Sequence, residues 1–145
     1  MTRVRSDRAR LVLALIGLAI AGYLTLLHFD SNVPLLCAAG SRINCETVLT
    51  SSSAIVFGVP VAVWGVAWFG VTLVLAVLSI RAGPAGRAPL LRSVSLGWTL
   101  IGTGGVLWLL YQEMGVIGKI CAWCTAVHVI VLSLVVVEAA SDGAP

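Results

Sequence analysis

Apolar residues fall into four long runs, over about residues 11–28, 54–80, 94–111 and 120–138, separated by short polar stretches. Each run reaches the roughly 17 residues that a helix needs, at the least, to cross about 30 Å of hydrocarbon. The polar stretches are His28–Ser53, Arg81–Ser93 and Gln112–Lys119. This pattern predicts an all-α integral membrane four-helix bundle, a single domain over residues 1–145, with an outer loop bearing a cysteine pair. The second run is long enough to tilt, or to begin with a broken turn at Gly58 and Pro60. Gly97, Gly102, Gly104 and Gly105 in the third run fit close helix packing, where small residues let backbones approach.

Composition sharpens the class. Hydrophobic residues make up 59% of the 145 and charged residues only 10%, whereas soluble domains carry about 25% charged residues. A water-soluble globule, a disordered chain, a disulfide-dense mini-protein and a nucleic-acid reader are all excluded. No internal repeat or low-complexity tract is visible. The basic N-terminal residues, the apolar core and Ala19-Ile20-Ala21 resemble a signal peptide with a small-residue cleavage site. The apolar stretch continues beyond Ala21 as far as Leu27, so the first segment is expected to be retained.

Charge placement predicts orientation. Arg3, Arg5, Arg8, Arg10, Arg81, Arg87 and Arg92 flank one side of the membrane, against Arg42 and Lys119 on the other. Basic residues favour the cytoplasmic side. The expectation is a multi-pass protein of the cell inner (plasma) membrane with both termini cytoplasmic. Cys37, Cys45, Cys121 and Cys124 then share the periplasmic or extracytoplasmic side, which is oxidising.

Cys121-Ala122-Trp123-Cys124 is a C-x-x-C at a predicted helix start. A helix N-terminus favours a thiolate, and two intervening residues bring the sulfurs within bonding reach across one turn. Lys119 either adds to that preference or anchors the chain at the interface, and the second reading is favoured; Trp123 reads as an interfacial aromatic. At 100° per residue Cys121, Cys124 and His128 share one helical face, with Cys121 expected at the rim and His128 deepest. A flat apolar acceptor against that face would meet Cys124 and hydrogen-bond His128. The alternative is a histidine bonded within the bundle. Cys37 and Cys45 bracket a flexible stretch with Gly40, Ser41 and Asn44. That spacing fits an exchangeable disulfide, a structural staple or two unrelated thiols. Zinc ligation is disfavoured because this pair is wider than the usual C-x₂₋₄-C, and no metal is expected.

Together these motifs resemble the vitamin K epoxide reductase family, most closely its bacterial members. The residues that carry the resemblance are Cys37-Ala38-Ala39-Gly40-Ser41-Arg42-Ile43-Asn44-Cys45, Val48 and Ser51–Ser53. Phe57-Gly58-Val59-Pro60-Val61-Ala62 follows, and then Cys121-Ala122-Trp123-Cys124 with His128. The likeness spans about residues 11–138. C-x-x-C alone is weak; both pairs in this order, with Gly-x-Pro after a serine-rich loop, are specific. Proteins of the DsbB-like type place their C-x-x-C in the first outer loop, whereas here it comes last.

The resemblance implies a bundle around a quinone of menaquinone, ubiquinone or vitamin K type. It implies that Cys37, Cys45, Cys121 and Cys124 are catalytic, with Cys124 next to the quinone and Cys45 reaching Cys121. Ser51, Phe57 and His128 would line the quinone pocket. A thioredoxin-like or DsbA-like dithiol protein, acting in trans because no fused thioredoxin-like domain is evident, would deliver electrons. Membrane lipid and the quinone pool are the other expected partners, and nucleic acid is not one. The expected function is disulfide generation for exported proteins. The alternatives are epoxide reduction and a non-catalytic membrane protein. The animal enzymes carry an asparagine where this chain has Ala54 and a tyrosine at the His128 position, which weighs against epoxide reduction.

Overall fold

The computed structural model describes residues 3–37, 40–86 and 89–142. Arg87, used above for orientation, and Ala38 and Ala39 of the first cysteine loop lie outside the described residues. Four long helices dominate: α1 (Arg3–Phe29), α3 (Val61–Gly86), α4 (Pro89–Tyr111) and α5 (Ala122–Asp142). All four are long and apolar enough to cross a membrane. Between α1 and α3 lie a short helix α2 (Cys45–Leu49), a 3₁₀ turn (Ser52–Ala54) and a two-stranded hairpin, β1 (Ile55–Val56) with β2 (Val59–Pro60).

The long helices close a ring in which α1 packs on α3 and α5, and α4 packs on α5 and α3. Each contributes to one core: Ala21 from α1, Phe69 from α3, Val106 from α4, and Ile130, Val131 and Leu134 from α5. Large apolar side chains such as Leu15, Val74, Ile101 and Val136 point outward, as a hydrocarbon surround permits. Two contacts set the closest approaches. A Cβ on Gly17 would stand 2.2 Å from the Phe69 ring, and one on Gly102 would stand 2.3 Å from Trp68. The expected packing role holds for Gly102 alone of its four glycines, since Gly97, Gly104 and Gly105 face open space. Trp68 also stacks on Trp98, and each indole N–H donates to the other residue's backbone carbonyl, which ties α3 to α4.

Helix boundaries depart from the hydropathy pattern at two places. The second run is not helix from residue 54; it begins with a broken turn at Gly58 and Pro60, the second of the two expected arrangements. Phe57 and Gly58 both take positive φ (54° and 77°), the geometry of a two-residue hairpin, and α3 starts only at Val61. The polar stretch after α4 is not a loop either, since a π-helical turn carries Gln112–Ile117 onward until Gly118 ends it at φ 68°.

At the terminal end of the bundle Arg10, Ser95 and Glu138 are buried together. The Arg10 guanidinium donates to Ser95 Oγ and pairs with Glu138 Oε1, and Ser95 Oγ donates to the same carboxylate oxygen. Arg10 is therefore a buried ion-pair partner, not the free flanking charge that its position suggests.

Candidate active site

The first cysteine loop is fixed against the start of α5 by backbone pairing. Ile43 and Ile120 form a parallel bridge, with Asn44 N–H donating to Ile120 O (3.0 Å) and Ile120 N–H donating to Arg42 O (2.9 Å). Asn44 then caps α2, its side chain accepting from Thr47 N–H (3.1 Å). This register seats Cys45 in one buried cluster with Val48 and Cys121. The stretch before Cys37 is clamped from below. Tyr23 Oη donates to Pro34 O (2.9 Å) and accepts from Leu36 N–H (3.0 Å), while Trp123 Nε1 donates to Leu36 O (2.8 Å). Trp123 thus holds the loop and does not serve only as an interfacial aromatic. Lys119 likewise donates to the Ser41 carbonyl.

Cys37 and Cys45 are joined by a disulfide, while Cys121 and Cys124 are reduced. Cys121 departs from its expected place at the rim: α2 and the loop cover it completely. It is the N-terminal cap of α5. Its Sγ accepts from Cys124 N–H (3.2 Å), and its carbonyl accepts from Thr125 N–H (2.9 Å). The Cys124 thiol, together with N–H groups at the helix start, holds the Cys121 thiol below the usual cysteine range, although burial and the Glu113 charge oppose this.

Below Cys121 a cavity of about 510 Å³ opens between the helices, and Cys124, His128 and Ser51 all line it. Aromatic and aliphatic side chains, including Trp64, Trp68 and Val131, form most of its wall. Ser51 Oγ donates to Val48 O (2.8 Å). His128 is 3% exposed, and its Nδ1 has no partner among the described residues. Phe57 departs from expectation. It is 92% exposed at the hairpin tip and forms no part of the cavity wall, because the turn swings it outward.

Sequence reasoning passed over Glu113. It lies in the π turn, is 4% exposed, lines the cavity, and faces both the Cys121 backbone N–H and the Cys124 thiol. The available signal was its charge, a carboxylate two residues past the end of an apolar span. Gln112 beside it donates from Nε2 to Ser53 Oγ (3.2 Å), tying the cavity to the 3₁₀ turn.

The structure thus brings two cysteine pairs into one cluster, with one pair beside a mostly apolar cavity between the helices. The family model described as Vitamin K epoxide reductase family matches residues 8–139. The chain belongs to the vitamin K epoxide reductase family. No curated protein sequence matches it. Family membership makes the chain a membrane thiol oxidoreductase that reduces a quinone. The cavity suits such a group: it is large, mostly apolar, and supplies an orphaned buried imidazole nitrogen as a polar contact. Small-molecule sites commonly measure about 300–1,000 Å³. Among the described residues no cluster of His, Cys, Asp or Glu is arranged to hold a metal ion.

Proposed function

We propose that this vitamin K epoxide reductase family member generates disulfides for exported proteins, drawing electrons from a separate thioredoxin-like dithiol protein. The observation that carries the reading is the parallel bridge at Ile43 and Ile120, which sets Cys45 against Cys121 while Cys124 opens onto the cavity. The orientation that goes with it puts the cysteine end outside. Its support is the gathering of Arg5, Arg8, Arg81 and Arg92 at the opposite end, with Arg42 and Lys119 at the cysteine end.

In this reading a partner thiolate attacks Cys37 of the Cys37–Cys45 disulfide, and Cys45 leaves as thiolate. Cys45 then attacks Cys121 when Cys121 and Cys124 are disulfide-bonded, and Cys124 leaves with the electron pair. A second partner thiol frees Cys37 and departs as a disulfide. Attack by Cys37 on the Cys45–Cys121 bond restores the loop disulfide and leaves Cys121 and Cys124 reduced. The structure has this same pattern of pairing. When bound, the quinone takes up two electrons and two protons as Cys121 and Cys124 rejoin. His128 would hold it through the unpartnered nitrogen, against a mostly apolar wall.

A trapping experiment tests the relay. Cys37→Ala with Cys124→Ala removes both resolving thiols, so a Cys45–Cys121 disulfide accumulates on mild oxidation. With a protease site inserted between Gly86 and Pro89, cleavage then yields halves joined only under non-reducing conditions. Two separate halves overturn the relay.

A further inference from the structure

We propose that Glu113 is a catalytic residue, the base that takes the proton from the Cys124 thiol and hands it to the acceptor in the cavity. The proposal rests on the thiol–quinone chemistry of the family and assigns a proton path within it.

The geometry begins with the π turn. A π turn is wider than an α turn, and such turns recur at functional sites because they redirect one side chain from the regular ladder. Here the turn is fixed from behind. The Glu113 backbone carbonyl accepts from both Gly118 N–H and Lys119 N–H (3.1 Å for the latter). The side chain is thereby aimed inward, at the Cys121 N–H and the Cys124 thiol, along the same cavity wall as His128. Among the described residues no lysine, arginine or histidine forms an ion pair with it. A buried carboxylate without a cation is costly, and intramembrane ionisable residues generally mark proton or ion paths. Glu138 at the other end, equally buried, carries its Arg10 partner. A purely structural need does not explain why Glu113 lacks one.

The chemistry needs such a group. When Cys121 and Cys124 rejoin, one S–S bond forms, two electrons leave the sulfurs and two protons must follow. The Cys124 thiol is half-buried, below a fully buried Cys121, and opens onto a mostly apolar cavity wall that offers few groups able to take its proton. Glu113 accepts this proton on a carboxylate oxygen and releases it toward the cavity, returning to carboxylate. The Cys121 proton is released to water when that thiol ionises, and the acceptor takes an equivalent proton from water at the open side of the cavity, so that two electrons and two protons reach it.

The test uses the full chain in detergent with a short-chain benzoquinone. Glu113→Gln keeps shape and hydrogen bonding but cannot carry a proton. General base catalysis contributes at least about 100-fold, so pre-reduced Glu113→Gln should oxidise about 100-fold more slowly, in single turnover, than the wild type. A second readout needs no quinone. The infrared difference spectrum between dithiol and disulfide forms should contain a carboxyl band that Glu113→Gln removes. A rate within threefold of wild type, or a difference spectrum unchanged by the substitution, overturns the proposal. If the Gln variant does not fold, Glu113→Asp decides. A slower rate with an enlarged solvent deuterium isotope effect supports the proposal, and wild-type values for both overturn it. Failure of the wild type itself to reduce the quinone would instead strike the family-level chemistry.

Discussion

The two ends of the bundle bury charge in opposite ways. At the terminal end Arg10 from α1, Ser95 from α4 and Glu138 from α5 close a hydrogen-bonded triangle, and Asp7 adds a contact to the same guanidinium (3.5 Å). At the cysteine end, among the described residues, Glu113 faces two cysteines and forms no ion pair, and His128 Nδ1 has no partner. Unpaired polar groups in hydrocarbon cost several kcal/mol each, so the first arrangement is what stability alone selects. The second persists because the fold elsewhere is secure and because open valences are what a reacting molecule can use. One end fastens three helices, and the other keeps groups available for chemistry.

The largest effect should come from breaking the fastened end. Glu138→Leu strands the Arg10 guanidinium in an apolar interior. Removing one partner of a buried pair typically costs about 3–5 kcal/mol, and the melting temperature should fall accordingly. Turnover per folded molecule should stay at the wild-type value. Replacing both partners, Arg10→Leu with Glu138→Leu, should recover most of the stability, since an apolar pair of similar volume has no stranded charge. A single variant as stable as the wild type would show that the triangle fastens nothing, and the contrast between the ends would fail.

The bundle was legible because hydrocarbon imposes one rule on every residue of a span, and the four apolar runs obey it. Cys121 and Cys124 were legible as a helix-start pair because the spacing is local. What escaped depends on partners far away in the chain. Arg10 reads as a flanking charge until Glu138, from the far end of α5, is brought beside it. Cys121 reads as a rim residue until Cys45 and Val48 cover it. Glu113 was hidden because Gln112, Gly115, Gly118 and Lys119 around it suggested a loop where the helix in fact continues as a π turn. Phe57 followed from resemblance alone, and the backbone at the hairpin tip sends it elsewhere.

Gly102 lies between the two regimes, and substituting it sharpens the comparison. It abuts Trp68 on the cavity wall, where Trp68 also stacks on Trp98. Gly102→Ala forces the indole to shift. Overpacking of this kind costs about 1–3 kcal/mol. Both stability and quinone affinity should therefore fall together, unlike a change at either end. Gly97→Ala, which meets open space, should leave both unchanged or slightly raise stability through helix propensity. Thermal unfolding and quinone titration on the two variants check this. Equal behaviour of the two would mean that the Gly102 contact sets neither property.

The smallest effect, and the one that separates the two ends most cleanly, is expected at His128. Its Nδ1 donates to nothing and accepts from nothing among the described residues, so replacing the ring with an apolar side chain removes an orphan and breaks no bond through that atom. His128→Leu should leave the melting temperature unchanged or raise it, the reverse of Glu138→Leu. If the imidazole holds a quinone oxygen, the loss is one hydrogen bond, about 0.5–1.5 kcal/mol, or roughly 2- to 13-fold in quinone reduction. Exchange between Cys45 and Cys121 should continue at the wild-type rate, because His128 lies two helical turns beyond Cys121 on α5. Measuring the two half-reactions separately on one preparation gives the answer. A drop in melting temperature with equal loss in both half-reactions would make His128 a packing residue, and the cysteine end would then differ from the terminal end only through Glu113.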